Sequence, residues 1–304
     1  MERVPFLKKK LPVQRSEKMK RVLVTGTNGY IGNSFKEYLS KNKIDIELEF
    51  ISVRNENWKK VDFSKYDSLL HLAGIAHVSK NKKYEQKYYE VNTNLSEAIA
   101  IKAKNQGVKQ FILMSSIIVY GRQKRITLES KPKPVDFYGN SKWEAEKLIT
   151  SLETKDFKVA IIRPPMVYGK KSKGNFDKLK KLSKLTFIFP DIANKKSIIF
   201  IDHLCNFLEV IVSKQVRGIF LPQNKEIIST SELVKIISTR KNKKIYFVKL
   251  NKNVVKIINN YFPFFNKIFG DLYYDKDLSI YPFSYNKYST KETIDLIENP
   301  GEKN

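Results

Sequence analysis

A tyrosine and a lysine at helical spacing are the strongest candidates for chemistry in this sequence. Tyr138 and Lys142 open a stretch that reads as a helix, and their spacing puts both side chains on one helix face. A cation beside a phenol favours the phenolate and lowers the phenol pKa. Tyr138 could then give a proton to an oxygen at a reacting carbon, or take one from it, while Ser116 hydrogen-bonds the same oxygen. Such a Tyr–Lys pair also occurs on ordinary helix surfaces, so the surrounding elements decide its meaning.

A glycine-rich turn near the start of the chain predicts a site for a dinucleotide. The segment 21–32, RVLVTGTNGYIG, reads as a buried strand, a turn and the first turn of a helix. Gly26 permits a tight turn, Gly29 lets a diphosphate approach the backbone, and Gly32 lets the helix lie close to the strand. Free N–H groups at the helix start would face the diphosphate. A glycine turn alone can bind nothing, but the apolar strand before it and the amphipathic run after it favour a bound dinucleotide.

Strands and helices alternate along the chain in a way that indicates the fold class. Apolar runs predict strands at 22–24, 46–53, 67–74, 108–115 and 159–163, and a long helix is predicted over 83–105. This alternation predicts an α/β fold, a doubly wound parallel sheet (Rossmann) with a smaller C-terminal substrate lobe. Beyond residue 221 the pattern predicts a strand at 244–250 and helices at 229–240, 253–269 and 290–298.

The length of 304 residues allows one core domain and a smaller lobe. We predict that residues 1–18 form a disordered basic lead. Residues 19–165 are expected to form the dinucleotide-binding domain, to which 197–221 return. Residues 166–196 and 222–304 are expected to form the substrate-binding lobe.

The composition argues against several classes of protein. A single cysteine, Cys205, rules out an intramolecular disulfide and fits a reducing compartment, so we expect a cytoplasmic protein. No apolar run approaches the length that spans a bilayer. The net charge of +26 comes mainly from lysines spread over every segment, which favours an anionic substrate and no nucleic acid. The apolar, aromatic and basic helix predicted over 253–269 suggests at most peripheral membrane contact.

The order of the motifs resembles the extended short-chain dehydrogenase/reductase family, in particular its NAD-dependent epimerase/dehydratase group, which acts on nucleotide sugars. The motifs are TGTNGYIG, HLAG, Asn92, SSIIVYG, YGNSK and IIRPPMVYG, and the resemblance covers about 21–221. It implies that Ser116, Tyr138 and Lys142 are the catalytic residues and that Lys142 also holds the nicotinamide ribose. Besides Tyr138 and Lys142, the cofactor contacts predicted from this motif match are Gly26, Asn28, Gly29, Tyr30, Ile31, Gly32, Asp62, Phe63, Leu72, Ala73, Gly74, Asn92, Pro165 and Val167.

The strand predicted over 46–53 bears on the choice of cofactor. In dinucleotide folds an acidic residue at the end of this strand bonds the ribose 2′-hydroxyl of NAD, whereas a nearby Arg favours NADP. Here the strand runs into Ser52 and Arg54, so we favour NADPH over NADH, although Arg54 also reads as an ordinary surface arginine. Asp62 and Phe63 follow, where such folds place a polar and an apolar residue against adenine.

The resemblance also implies contacts with a UDP-sugar substrate. Asn175 stands where the family often places an Asn against the substrate diphosphate or sugar. An Arg that binds the diphosphate commonly precedes the family's return strand, here 197–203. This chain has Lys195 and Lys196 instead, which keep the charge but lose the bidentate fork. We assign Ser116, Asn175 and Lys196 to the substrate.

Two further polar residues are expected to be structural. His71 lies inside a predicted strand, where packing is more common than catalysis. Asp202 ends the predicted return strand and would cap a helix over 203–212.

Departures from the family pattern narrow the reaction. Ile117 and Ile118 stand where sugar-nucleotide dehydratases carry an Asp–Glu pair, so dehydration is disfavoured. Combined 3,5-epimerase/reductases use a Cys and a His near the sugar, but Cys205 and His203 come after the return strand. Two reactions remain, both at the sugar C4: reduction of a 4-keto group by NAD(P)H, and 4-epimerisation with a retained NAD.

The segment from the VYG turn through GNF and KKSIIFIDHL most resembles reductases of UDP-4-keto-6-deoxy-N-acetylhexosamine. Those enzymes make UDP-N-acetylquinovosamine or UDP-N-acetylfucosamine for surface polysaccharides. A non-catalytic dinucleotide-binding module is a distant alternative, because such relatives commonly lose the Tyr or the Lys. The family often dimerises through helices equivalent to 83–105 and 139–153, so a homodimer is expected.

Overall fold

The central sheet of the protein has six parallel strands. The computed structural model describes residues 19–76, 82–172, 174–250, 265 and 268–298. The strands of this part of the chain are β1 Lys20–Thr25, β2 Ile46–Ile51, β3 Ser68–His71, β4 Gln110–Met114, β5 Arg125–Ile126, β6 Lys158–Ile162, β7 Met166–Tyr168, β8 Ile188–Asp191, β9 Ile198–Phe200, β10 Gly218–Phe220, β11 Tyr246–Lys249 and β12 Tyr273–Tyr274. The sheet order is β2–β1–β3–β4–β6–β10, and every neighbouring pair is parallel. The predicted fold class, a doubly wound parallel sheet, is confirmed.

Helices cover both faces of this sheet. The α-helices of the described residues are α1 Tyr30–Lys41, α2 Glu85–Tyr89, α3 Leu95–Asn105, α4 Phe137–Ser151, α5 Asn175–Leu185, α6 Ile201–Lys214, α7 Thr230–Arg240 and α8 Thr290–Glu298. Val22 and Val24 of β1 join the core with α1 and α6, whereas Leu23 between them joins the core with α3 and α4. Because both faces are buried, the strands read as continuous apolar runs.

The long helix predicted over 83–105 is interrupted. A 3₁₀ turn, Lys82–Tyr84, leads into α2, and a π-helical turn, Glu90–Asn94, separates α2 from α3. The prediction of one continuous helix is therefore wrong at this turn. A π-turn inside a helix frequently marks a functional site, and this one contains Asn92.

The register of the sheet brings the first and third strands together at one edge. Thr25, the last residue of β1, lies opposite Ile51 of β2 and His71 of β3. In parallel strands the carboxyl ends lie along the same edge, and β1 is the point where the strand order changes direction. Ligands of open α/β sheets bind in the crevice at such a point.

The C-terminal part of the chain adds three short parallel strand pairs, β5–β12, β7–β9 and β8–β11. The helices predicted at 229–240 and 290–298 are α7 and α8, and the strand predicted at 244–250 is β11. The return strand predicted over 197–203 is shorter, because β9 ends at Phe200 and α6 begins at Ile201. Most of the helix predicted over 253–269, like the lead 1–18, lies outside the described residues. Of the helices in the described ranges, none is long and apolar enough to cross a bilayer.

Candidate active site

The glycine-rich turn between β1 and α1 has the geometry of an anion-binding cradle. Gly26 has a φ of +98°, which strains other residues, and a Cβ at Gly32 would come within 2.9 Å of the Phe50 ring. A Cβ at Gly29 would meet nothing closer than the Gly26 carbonyl oxygen at 3.7 Å, so the space above it is open. Gly29 is also the N-cap of α1, and the first turn has neither a side-chain cap nor an acidic residue. The first N–H groups of α1 are therefore available to a phosphate.

The first residue of α1, directly after the cradle, carries a buried hydroxyl. Tyr30 Oη is shielded from solvent and has no hydrogen-bond partner among the described residues. It faces Gly169, where a Cβ would come within 2.6 Å of it. Burial raises the pKa of Tyr30, so the group stays a neutral donor. A buried hydroxyl without a partner costs about 1–3 kcal/mol, so this donor is available to a ligand near Gly169, whereas the diphosphate is fitted by the open cradle itself.

His71 is a structural residue, as its place in a strand predicts. The N–H groups of Leu72 and Ala73 both donate to Thr25 Oγ1 at 3.2 Å, so the Thr25 proton points at His71 Nδ1, 2.9 Å away. His71 Nε2 then carries the ring proton and donates to Ser96 Oγ at 2.8 Å. Burial, assisted by the charge of Lys142, lowers the pKa of His71 to about 3. The neutral His71 ring therefore links Thr25, at the carboxyl end of β1, to Ser96 of α3.

Asn92 occupies the π-turn and holds the backbone after β3. Its Oδ1 accepts from the Ile75 N–H at 2.8 Å, and its Nδ2 donates to the Ile75 carbonyl at 2.9 Å and to Ser141 Oγ at 3.0 Å. A Cβ on Gly74 would lie 2.9 Å from Asn92 Oδ1 and 3.2 Å from Lys142 Nζ. Asn92 and Lys142 therefore both approach the backbone at Gly74, where a larger residue would crowd them.

The structure brings Ser116, Tyr138 and Lys142 to the carboxyl edge of the sheet. Ser116 follows β4, and Tyr138 lies in the first turn of α4, which Asp136 caps by accepting from the Gly139 N–H at 2.8 Å. The Tyr138 hydroxyl and the Ser116 side chain are hydrogen-bonded. Lys142 Nζ donates to the Met114 carbonyl at 2.9 Å, from a side chain that is almost fully buried.

Burial dominates the pKa values of this site. It raises the pKa of Tyr138 to about 12, although the bond to Ser116 acts in the other direction. It lowers the pKa of Lys142 to about 8, against the opposing charge of Glu146. The predicted lowering of the Tyr138 pKa is therefore not found in this structure, because loss of solvent around the phenol raises that pKa, with smaller contributions in the same direction from Asp136 and Tyr88.

A buried ion pair supports the site and was not predicted from the sequence. Glu146, one helical turn after Lys142, pairs with Arg163 at the end of β6, and both side chains are 2% exposed. Arg163 Nε donates to Glu146 Oε1 at 3.0 Å, and Nη1 donates to Tyr120 Oη at 2.7 Å. Ser115 donates a short hydrogen bond to the same carboxylate. The spacing of Glu146 from Lys142 was the available signal, since both then face the sheet.

The comparisons with known proteins agree with this geometry. The sequence profile of the NAD dependent epimerase/dehydratase family matches residues 22–204. The chain belongs to this family. A UDP-glucose 4-epimerase of Vibrio cholerae is 32% identical over 243 residues, which cover 71% of this chain and 74% of that protein.

Two solved structures share the fold. UDP-glucuronic acid 4-epimerase from Bacillus cereus, in complex with NAD, has a TM-score of 0.70 at 19% identity and covers 92% of this chain and 97% of its own. dTDP-4-dehydrorhamnose reductase from Bacillus anthracis, in complex with NADP, has a TM-score of 0.66 at 18% identity and covers 92% and 99%. As a member of the epimerase/dehydratase family, the chain is an NAD(P)-dependent enzyme, as predicted.

Several residues that the sequence predicts to contact the cofactor are exposed on the surface or buried in the core. Arg54 is exposed beyond the end of β2. Asp62 is exposed and accepts from the N–H and hydroxyl of Ser64, whereas Phe63 is fully buried in the core with α3 and α4. The Phe63 ring is thus unavailable to adenine, because the core already surrounds it.

The predicted substrate contacts lie on the C-terminal side of the site. Asn175 is the exposed first residue of α5, after Gly174 at a φ of +100°. Lys196 exchanges two backbone hydrogen bonds with Ile228. Burial lowers the pKa of its ammonium group to about 8.

Asp202, His203 and Cys205 all lie on α6. Asp202 is inside the first turn and the N-cap is Phe200, so the expectation that Asp202 caps a helix beginning after it is wrong. His203 Nε2 accepts from two backbone N–H groups, at Lys287 and Tyr288, which agrees with a structural role. Cys205 is fully buried, and burial raises its pKa, so its thiol is unsuited to proton transfer.

Proposed function

We propose that this protein reduces the 4-keto group of a UDP-4-keto-6-deoxy-N-acetylhexosamine. The observation that supports this proposal is the convergence of the Tyr138 hydroxyl, the Ser116 hydroxyl and the Lys142 ammonium group at the carboxyl edge of β3 and β4. Ile117 and Ile118 follow Ser116 and offer no group that transfers protons, which argues against dehydration. The product would be UDP-N-acetylquinovosamine or UDP-N-acetylfucosamine.

The residues of the glycine turn are suited to hold the dinucleotide. The open backbone at Gly29 and the first N–H groups of α1 would bind its diphosphate, and Lys142, below Gly74, would hold the nicotinamide ribose. When bound, NAD(P) supplies the hydride that reduces the carbonyl carbon. NADPH is preferred in this proposal, because residues 52–55, directly after β2, include no acidic residue and Arg54 is exposed there.

Tyr138 would give its proton to the oxygen at C4. A phenol with a pKa of about 12 is protonated at neutral pH, so it is ready to donate to an alkoxide, which is the stronger base. Ser116 would hold the same oxygen in reach of Tyr138. Lys142 would fix the position of the phenol and, where charged, stabilise negative charge on it. Lys196 and Asn175 would contact the substrate diphosphate or sugar.

A 4-epimerase is the second candidate, because the Vibrio cholerae relative and the Bacillus cereus neighbour carry that name. An epimerase oxidises C4 before it reduces it, so Tyr138 would also have to remove a proton. The raised pKa of Tyr138 favours donation over removal in the free enzyme. This observation, together with the lack of an acidic residue among residues 52–55, is our reason for naming the reductase as the first candidate.

The experiment that separates the two candidates is a pair of assays on the purified chain. In one, the 4-keto sugar nucleotide is added with NADPH or NADH, and nicotinamide absorbance and the sugar product are followed. In the other, UDP-GlcNAc is added without a reductant, and UDP-GalNAc is sought. A reductase consumes cofactor only in the first assay. Turnover in the second assay alone contradicts the reductase and supports the epimerase.

A further inference from the structure

The C-terminal lobe carries an exposed apolar surface that the proposed site does not use. We call it the lobe patch, and its residues are Leu182, Leu185, Phe187, Ile188, Tyr246 and Val248. Leu185 is 78% exposed, Phe187 70% and Ile188 63%. Single exposed apolar residues are ordinary, but a contiguous set of them marks an interaction surface.

The pairing of β8 with β11 brings the strand residues of the lobe patch together. Ile188 lies opposite Tyr246 in the parallel ladder, and the Tyr246 N–H donates to the Phe187 carbonyl at 2.8 Å. Phe189 and Phe247 point to the other face of this two-stranded sheet, where their rings meet at 6.0 Å and join the core. A half-buried sheet normally has polar residues on its outer face, whereas here the outer face is apolar as well.

Lysines surround the lobe patch. From Arg240 to Lys249, five of the ten residues are Lys or Arg and none is acidic, and of these five Arg240 and Lys241 pair with Asp295 and Glu298 of α8. Lys243 Nζ lies 4.8 Å from the centre of the Phe187 ring, and Lys244 Nζ lies 5.5 Å from that of Tyr246. Lys243 also donates to the carbonyl of Lys184, at the end of α5. The apolar side chains and the ammonium groups therefore share one surface.

We propose that the lobe patch docks on the surface of an anionic lipid bilayer. Apolar and aromatic side chains enter the boundary between headgroups and acyl chains, and lysines around them are attracted to anionic headgroups. Charge complementarity favours anionic lipid over two alternatives, a second copy of the chain and residues 250–270 of the same chain. A second copy of the chain would present the same lysines, and residues 250–270, which follow β11, contain three lysines and no acidic residue. Neither complements the patch, whereas anionic lipid does.

The first test is sedimentation of the purified full chain with vesicles. The chain should bind vesicles of phosphatidylcholine with phosphatidylglycerol at least about tenfold more strongly than vesicles of phosphatidylcholine alone, and added salt should weaken this binding. Equal binding to both vesicles, or no binding to either, overturns the proposal.

The second test uses matched variants. The combined change Leu185→Ser, Phe187→Ser and Ile188→Ser should weaken vesicle binding about tenfold or more, and Lys243→Gln with Lys244→Gln should weaken its salt dependence. Leu128→Ser with Ile280→Ser is the apolar control, because these residues are 65% and 69% exposed elsewhere. Lys36→Gln with Lys155→Gln is the charge control. Unchanged binding in the patch variants, or an equal loss in the controls, overturns the proposal.

The melting temperature and the oligomeric state distinguish the other occupants. The patch variants should melt as the wild type does, because exposed side chains contribute little to stability. A clear fall in melting temperature would show that another part of the chain covers the patch. Loss of a dimer in the serine variant would assign the patch to a second copy. Either result overturns bilayer docking.

Discussion

The Tyr138 hydroxyl and the Lys142 ammonium group lose solvent in the same site, and this moves their pKa values in opposite directions. The pKa of Tyr138 rises to about 12, so it is a proton donor at neutral pH. The pKa of Lys142 falls to about 8, so a modest rise in pH removes its charge. At the scale of residues, the account therefore predicts both a loss of turnover without the phenol and an alkaline limit to activity.

Tyr138→Phe should lower kcat by about 10²–10⁴-fold, because the C4 oxygen loses its general acid. Binding of NADPH, measured by fluorescence titration, should change little. Tyr89→Phe, the same change on α2 away from the proposed site, is the control and should keep full turnover. A Tyr138→Phe variant as active as the control would contradict the catalytic assignment.

Activity should fall as pH rises above about 8, where Lys142 and Lys196 lose their protons. The profile of kcat/KM reports groups of the free enzyme. If Lys196 contacts the substrate diphosphate, the bound diphosphate raises the pKa of Lys196. Deprotonation of Lys196 should then lower kcat/KM at alkaline pH but leave kcat unchanged in the same range. Lys196→Arg keeps the positive charge at all of these pH values. The alkaline fall in kcat/KM of this variant should therefore reflect the deprotonation of Lys142 alone. An unchanged kcat/KM profile in this variant would remove Lys196 from substrate binding.

Arg54→Asp should shift the preference from NADPH to NADH. The new carboxylate repels a 2′-phosphate and bonds a free 2′-hydroxyl. Since a hydrogen bond to a charged group contributes about 1.5–3 kcal/mol, KM for NADPH should rise by about tenfold to a hundredfold. Lys36→Asp, on the exposed side of α1, controls for the change in net charge. Equal effects of both variants would show that Arg54 does not contact the cofactor.

At the scale of elements, α4 is fixed to the sheet by the Glu146–Arg163 pair, one helical turn beyond Lys142. A buried pair is weak support for stability in itself, but removal of one partner leaves an uncompensated buried charge. The pair joins the end of β6 to the helix that carries Tyr138 and Lys142. We therefore expect the pair to fix the position of α4, and with it the proposed catalytic side chains.

Glu146→Gln should lower the free energy of unfolding by about 3–5 kcal/mol, because Arg163 stays charged without its partner. The double change Glu146→Met with Arg163→Met should recover much of this loss, since no buried charge remains. Urea unfolding measures both variants. A double variant less stable than Glu146→Gln would show that the hydrogen bonds, and not the unpaired charge, dominate.

The elements differ in how strongly the local sequence predicts them. Apolar runs located the strands of the sheet, because a strand buried on both faces leaves a local pattern. The π-turn around Asn92 left no such pattern, because it depends on contacts with Ile75, a residue distant in sequence. The Glu146–Arg163 pair and the burial of Phe63 likewise depend on how α4 and α3 lie against the strands. Motif order located Ser116, Tyr138 and Lys142, but burial, which sets their pKa values, needed the structure.

At the scale of the whole molecule, buried neutral histidines link stability to pH. The pKa of His71 is about 3 in the folded chain, against about 6.5 in an unfolded one. Between these values the unfolded chain binds a proton that the folded chain does not, so the free energy of unfolding rises with pH in this window. His203, whose pKa burial also lowers, acts in the same direction.

Acidification from pH 6 to pH 4 should therefore destabilise the protein, with a share from His71 of at most about 1.4 kcal/mol per pH unit. His71→Asn should remove that share, so the variant's stability should fall less steeply with acid, whatever its stability at neutral pH. Urea unfolding at each pH measures the slope. Parallel slopes in the variant and the wild type would show that His71 is protonated in the folded chain.

The most direct measurement of the central claim uses NADPH that carries deuterium at the transferable position of the nicotinamide. With the 4-keto-6-deoxy sugar nucleotide as substrate, we expect one deuterium at C4 of the product for each cofactor oxidised, and labelled product should form about 10²–10⁴-fold more slowly with Tyr138→Phe. A product without the label at C4, or equally fast labelling by the Tyr138→Phe variant, would contradict that claim.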